Sequence, residues 1–230
     1  MVAIRHTWDK ELRMMVTIKS GGHARKEFEM MTSFESPYIM KPVGVRGDSI
    51  ILPYFEERGA DGVAGYCTER TAWKFLHDIA SALAHIHGKG YAHNDVKPSG
   101  VLIGQDGFVL SSFGECSRTS GTADAAAGDI WLLGAAVFQM LTGMEIFNGR
   151  TQKKETVIPA LRKDLYSREL SGLMARCLAF EPDERPDAET VAAEAARIMK
   201  EGRSISKSKP QHKHEGKIPY EEIWPEAMTI

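Results

Sequence analysis

Apolar and polar positions alternate at the start of the chain. Val2-Ala3-Ile4-Arg5-His6 and Met14-Met15-Val16-Thr17-Ile18-Lys19 have strand character on either side of Asp9-Lys10-Glu11, which predicts a β-hairpin over residues 2–19. Gly21-Gly22 interrupt it. From His23 to Phe34 the period changes, and Glu27, Met31 and Phe34 fall on one helical face. Pro37 marks the end of that helix. Strands follow over Met40–Arg46 and Ser49–Phe55, with Pro53 marking an edge or exit position in the second.

Helical periods dominate after Thr68. This residue is placed to cap a helix over residues 69–88, whose apolar stripe is Trp73, Leu76, Ile79, Leu83 and Ile86. Gly88 and Gly90 stop it. Val101-Leu102-Ile103 and Phe108-Val109-Leu110, joined by Gly104-Gln105-Asp106-Gly107, predict a short hairpin. Asp129 is read as the cap of an apolar helix Ile130–Leu141, Ser167 as the cap of another, and Asp187 as the cap of a last helix reaching about Lys200. Residues 202–217 are polar, basic and punctuated by Pro and Gly, the composition of a flexible linker. Residues 218–230 are aromatic again and predict a segment that docks on its own domain or on a partner. Strands with one helix come first, helices with a small hairpin second: an α+β chain with two lobes.

Composition narrows the class. The chain has 230 residues, 43% hydrophobic and 26% charged, the balance of a soluble globular protein. A net charge of −2 carries no bias toward nucleic acid. Cys67, Cys116 and Cys177 are far apart and lack metal or disulfide spacing, which fits a reducing, cytoplasmic setting. The first residues contain no apolar signal core. The run Ile130–Leu141 is too short for a membrane span and reads as a buried helix.

The segment Tyr91–Gly114 carries the chemistry. His93-Asn94-Asp95-Val96-Lys97-Pro98-Ser99-Gly100, a hairpin, then Ser112-Phe113-Gly114 follow the order H-R-D-L-x-x-x-N and D-F-G. Val16-Thr17-Ile18-Lys19 is similar to V-A-I-K, and Asp129-Ile130-Trp131-Leu132-Leu133-Gly134 to D-V-W-S-L-G. Cys177-Leu178 and Arg185-Pro186 follow a C-L…R-P closing pattern. In that order these segments resemble the eukaryotic-type serine/threonine protein kinase superfamily over about residues 2–200.

The resemblance implies a bilobal protein-kinase-like fold with a truncated N-lobe, a small antiparallel sheet plus one helix, and a mainly helical C-lobe. Residues 1–56 are the N-lobe, without the family's first strand and glycine-rich loop; a mis-assigned start would give the same sequence. Residues 57–201 are the C-lobe, 202–217 the linker and 218–230 the docking segment. Lys19 and Glu27 match the pair that holds and aims at nucleotide phosphates, and Leu52, Pro53 and Tyr54 match the adenine slot. Asp95 matches the base that orients the substrate hydroxyl, and Lys97 a lysine near the transferred phosphate.

Four departures count against catalysis. Ser112 stands at the D-F-G aspartate and Gly100 at the catalytic-loop asparagine, so both side chains expected to hold magnesium are gone. Too few residues precede Lys19 for a glycine-rich loop. The segment between Gly114 and Asp129 is short and lacks A-P-E, which leaves Arg185 without its family partner. Asn94 replaces the H-R-D arginine, the usual anchor of a loop phosphate. Glu115 is one nearby carboxylate that could substitute, and Asp106, at a hairpin tip, is badly placed for it. The expectation is a pseudokinase acting through an unknown protein partner, with ATP as the ligand the fold allows, magnesium not expected and no metal ligands assigned. Its alternatives are an atypical ATP-dependent serine/threonine kinase with weak or partner-dependent activity, and a metal-independent nucleotide sensor.

Overall fold

The computed structural model describes residues 3–21, 23–55, 59–104, 106–119, 124–144, 146 and 166–201. Strands β1 (Ala3–Asp9) and β2 (Met14–Ser20) pair antiparallel, with Ile4 opposite Lys19 and Trp8 opposite Met15. Their connection is held by Asp9, whose carboxylate accepts the N–H groups of Glu11 and Leu12 and pairs with Arg46 at 2.6 Å. Two further strands, β3 (Gly44–Arg46) and β4 (Ser49–Pro53), complete a sheet of order β1-β2-β4-β3. Helix α1 (Ala24–Ser33) lies against it and buries Ala24, Glu27 and Met31, the face set by helical spacing.

The second half is built on α2 (Glu69–Gly88). Thr68 Oγ1 accepts the N–H of Thr71, and Trp73, Leu76, Ile79, Leu83 and Ile86 are fully buried. Helix α3 (Asp124–Thr142) packs across α2, and helix α4 (Arg168–Cys177) lies against α3. The last helix, α5 (Ala188–Glu201), runs along α2. Two further predicted caps hold: Ser167 Oγ accepts from Leu170 and Asp187 Oδ1 from Thr190. Between α2 and α3 come β5 (Tyr91–Ala92), the hairpin β6 (Val101–Gly104) and β7 (Gly107–Leu110), and β8 (Ser117–Arg118), which pairs with β5.

Buried carboxylates tie these elements together. Asp78 on α2 accepts Lys74 Nζ, His77 and the N–H of Phe108, so it anchors β7. Gly107 is required beside it. Its φ is +149°, and a Cβ there would run into the Asp78 carboxylate. Glu69 accepts from Trp73 Nε1 and from both the N–H and the hydroxyl of Ser167, 98 residues away. The sheet joins the helical half where Met40 N–H donates to Leu110 O and Leu110 N–H to Tyr38 O.

Two sequence expectations need correction, and one open alternative is decided. Met40–Arg46 is not one strand: Ile39 and Met40 bridge to Leu110, and only Gly44–Arg46 pairs with β4. Pro53 is an exit and not an edge, because β4 lies inside the sheet and Pro53 is its last residue. Asp129 does not cap a helix. The alanine-rich stretch Asp124–Gly128 extends α3 in front of it, and Asp129 is buried inside the helix. The extended α3 is long and apolar enough to cross a membrane by length and composition, yet 61% of that stretch is buried against the rest of the protein. Two aromatic side chains are largely exposed, Trp8 at 57% and Phe180 at 72%. The expected linker and docking segment at 202–230 lie outside the described residues.

Candidate functional site

Lys19 reaches the site from β2 and Glu27 from α1. The short link at Gly21, with φ +127°, lets the helix fold back onto the strand. Lys19 Nζ and Glu27 Oε1 are 2.8 Å apart, with the glutamate buried and the lysine partly exposed. This pair borders a cleft of about 580 Å³. Ile4, His6 and Thr17 form its roof, and Leu52, Pro53, Tyr54 and Phe55 its back. Leu102, Ser111 and Ser112 lie below, with Gly59, Asp61 and Ser99 at the side. The roof carries one polar tie, His6 Nδ1 to Thr17 Oγ1 at 3.0 Å, and the His6 ring meets Tyr54 edge-on at 5.3 Å.

Asp95 and Lys97 lie in an adjoining hollow of about 700 Å³, which shares Asp61 and Ser99 with the cleft and is backed by α3 at Leu132, Ala135 and Ala136. They pair with each other at 2.7 Å. The structure therefore brings Lys19, Glu27, Leu52, Pro53, Tyr54 and Ser112 into one cavity and sets Asp95 and Lys97 in its neighbour. A third hollow of about 830 Å³ lies behind Pro53–Phe55, but neither Lys19 nor Glu27 lines it.

The loop bearing Asp95 is anchored from below. Asp129 accepts the N–H groups of His93 and Asn94, each at 2.7 Å, and His87 Nε2 at 2.9 Å. Asn94 adopts the left-handed conformation, φ +63°, which asparagine tolerates better than most residues. Its side-chain amide donates to Ala92 O, Glu115 O and Ser117 Oγ, which fastens the loop to the segment after Ser112-Phe113-Gly114. Phe113 is fully buried against His93 and Phe34, with ring centroids at 4.8 and 5.8 Å. Arg185 donates to the carbonyls of Ala127, Ala179 and Phe180, which answers the sequence question of its partner.

His93 is held neutral. Its Nε2–H donates to Ser111 O at 3.0 Å, and Nδ1 accepts the N–H of Asp95 at 3.3 Å. Burial lowers its pKa below the ordinary 6.5, opposed by the charge of Asp129. Below about pH 6.5 the unfolded chain takes up a proton that the folded one refuses, so stability falls as pH drops through that value. Urea unfolding across this range should show the loss. A His93→Gln variant should lack that part of it, and an unchanged slope in the variant counts against the assignment. Cys116 and Cys177 offer no nucleophile: burial raises both thiols to about 12.

The positions of the two missing metal ligands meet. Ser112 is left-handed, φ +66° and ψ +53°, and Gly100 is buried beside it. A Cβ on Gly100 would lie 3.6 Å from Ser112 Cβ, an ordinary contact, so a side chain has room to begin there. One neutral hydroxyl and no side chain do not make a donor set for magnesium, which prefers carboxylate and phosphate oxygens. Glu115 does not substitute. It is exposed and does not line the cleft. Sequence reasoning missed His6, Thr17 and Asp61 as lining residues and Asp129 as the loop anchor. The alternation that turns Lys19 inward also turns Thr17 inward, and was the available signal.

No family model matches the sequence. A probable protein kinase of Dictyostelium discoideum is 33% identical over 118 residues, covering 48% of this chain and 32% of that protein. Serine/threonine-protein kinase 16 of Rattus norvegicus is 26% identical over 221 residues, covering 71% and 72%. The chain thus spans about a third of the first relative and nearly three quarters of the second. Among solved structures, the Rad53 kinase domain with SCD2 in complex with AMPPNP superposes with a TM-score of 0.71 at 19% identity, over 90% of this chain and 91% of that one. The likeness shows the same fold, a small antiparallel sheet with one helix beside a mainly helical half. With serine/threonine kinases among its relatives, the chain is similar in sequence to the protein kinase superfamily and has the protein kinase fold.

Proposed function

We propose that this domain is a pseudokinase, a kinase-like scaffold that acts by binding and regulating a protein partner and does not transfer phosphate efficiently. The observation that carries this reading is the floor of the cleft. Lining the cleft with the Lys19–Glu27 pair is Ser112, with Gly100 buried beside it, and neither supplies a carboxylate or a carboxamide. Loss of one electrostatic element in an active site typically costs orders of magnitude in rate. The lysine–glutamate pair and the apolar back of the cleft need no metal, so a nucleotide such as ATP remains the ligand of choice for this cavity. The solved neighbour was crystallised with a nucleotide analogue, which supports that choice.

A second reading, a serine/threonine kinase of weak or partner-dependent activity, is favoured by one observation: Asp95 and Lys97 are retained and paired beside the cleft. Two measurements separate the readings. ATP should raise the melting temperature equally with and without magnesium, and Lys19→Met should reduce the shift. At about a hundred times its dissociation constant a ligand adds ~2.7 kcal/mol of stability. Labelled-ATP transfer to a generic protein substrate should stay at background. Transfer that disappears in Asp95→Asn would overturn the pseudokinase reading.

A further inference from the structure

The hollow behind Pro53–Phe55 is larger than the ligand cleft, about 830 Å³ against 580 Å³, and plays no part in the proposed function. Two prolines and three aromatic side chains wall it: Pro37, Pro53, Tyr38, Tyr54 and Phe55. The Tyr38 hydroxyl has no partner among the described residues. The two inner charges of the hollow offset each other. Asp78 is completely buried, and Lys74 Nζ reaches both of its oxygens, at 2.8 and 2.7 Å. The charge left on the lining is Asp106, exposed at the turn between β6 and β7 and unpaired among the described residues. A wall of this kind suits an extended, proline-containing segment with a cation beside it. Proline is held extended before it binds, and it packs on aromatic faces.

We propose that the chain's own C-terminal segment, from Lys217-Ile218-Pro219-Tyr220 onward, occupies this hollow. The chain leaves the fold near it. Asp187, just before α5, is near enough to His87, at the end of α2, for their charges to interact, so α5 runs antiparallel along α2. Its 14 residues rise about 20 Å, which brings Glu201 level with the turn of α2 that carries Lys74. Sixteen residues separate Glu201 from Ile218. Such a length spans up to about 50 Å extended, whereas passing around one helix takes about 10–12 Å. A tethered segment that can span the gap has an effective concentration on the order of millimolar, ahead of any free partner of the same chemistry. Its sequence also fits the wall. Ile218-Pro219-Tyr220 and Ile223-Trp224-Pro225 each join a proline to an aromatic ring, and residues 202–217 carry five Lys or Arg against one Glu. Lys217, next to Ile218, is the cation for Asp106.

Docking there reaches the ligand cleft, and this part rests on the reading of the cleft as a nucleotide site. Pro53, Tyr54 and Phe55 wall both cavities. A segment packed on them from behind fixes the side chains that back the cleft. Docking and nucleotide binding then change each other's affinity by the same factor.

Cross-linking in the full chain is the direct test and needs no ligand. The native cysteines are all buried, so two introduced thiols report alone. Under mild oxidation Asp106→Cys/Lys217→Cys should close an intramolecular disulfide at least about tenfold faster than Phe180→Cys/Lys217→Cys. Phe180 is 72% exposed and lies before the start of α5, so access alone favours it. Adding Pro219→Ala/Tyr220→Ala changes only the segment and should remove the advantage of the Asp106 site. Circular dichroism melts of the reduced variants check that the fold is intact. Equal rates for the two pairs overturn the proposal, and so does an advantage that survives the change in the segment. A disulfide that joins two chains, at twice 25.5 kDa, makes a second copy the occupant and overturns it as well. For the coupling, ATP affinity should differ about fivefold or more between the locked and reduced forms of Asp106→Cys/Lys217→Cys. Equal affinities overturn the coupling alone. No ATP binding in either form overturns the nucleotide reading of the cleft, while the cross-link still decides the docking.

Discussion

Asp129→Ala is expected to lower the free energy of unfolding by about 3–5 kcal/mol, the range for removing one partner from a buried charged cluster. The carboxylate is completely buried and accepts three hydrogen bonds, two from backbone N–H groups at 2.7 Å and one from His87. Bonds to a charged acceptor contribute about 1.5–3 kcal/mol each, and an orphaned buried donor costs more than a neutral exchange. His93 N–H is buried, so water cannot replace the lost acceptor without opening the loop. Domains of this size are stable by only about 5–15 kcal/mol, so the variant should be marginal. Asp129→Asn should lie between, since an amide keeps one acceptor and turns a donor toward an N–H. Urea unfolding with an unchanged slope measures both. A loss below about 1 kcal/mol for alanine would show that the loop does not depend on this anchor.

Asp129 also shows where sequence and structure part. Aspartate before an apolar run reads as a cap, and nothing in DAAAG carries the stripe that would extend a helix backwards. Tertiary burial of the loop at His93 decided the matter, and that contact is 35 and 36 residues away in sequence. Where local signals agreed, reading was accurate: Thr68 as cap and Glu69–Gly88 as helix follow from hydroxyl chemistry and an unbroken stripe. In the site, Lys19, Glu27, Leu52, Pro53 and Tyr54 were legible through motif order and do share one cavity. Asp61 was not legible, because its place between two hollows depends on how the turn at Ala60–Val63 packs against Ser99 and α3.

Restoring both missing ligands should make nucleotide binding depend on magnesium. In Gly100→Asn/Ser112→Asp, ATP with magnesium should raise the melting temperature well beyond ATP alone, whereas the wild type should show no difference. The backbone is ready for both changes. Ser112 already holds the left-handed conformation, in which aspartate is several-fold enriched, so the substitution adds no strain there. Gly100 is not among the positive-φ glycines, and its added Cβ meets only ordinary contacts at 3.6–3.8 Å. An aspartate at the cleft and an asparagine packed beside it offer oxygen donors of the kind magnesium prefers. A tenfold gain in affinity is worth about 1.4 kcal/mol. For a chain of this size that corresponds to roughly 3–6 °C in melting temperature, by the usual scaling of about 2–4 °C per kcal/mol. Each single variant should gain less than half of the effect, because one ligand cannot fix the ion. If the double variant binds ATP no better with magnesium than without, Ser112 and Gly100 are not what separates this cleft from a metal-dependent one. If the wild type already shows the magnesium effect, another donor supplies the ion, and the pseudokinase reading fails at the observation that carries it.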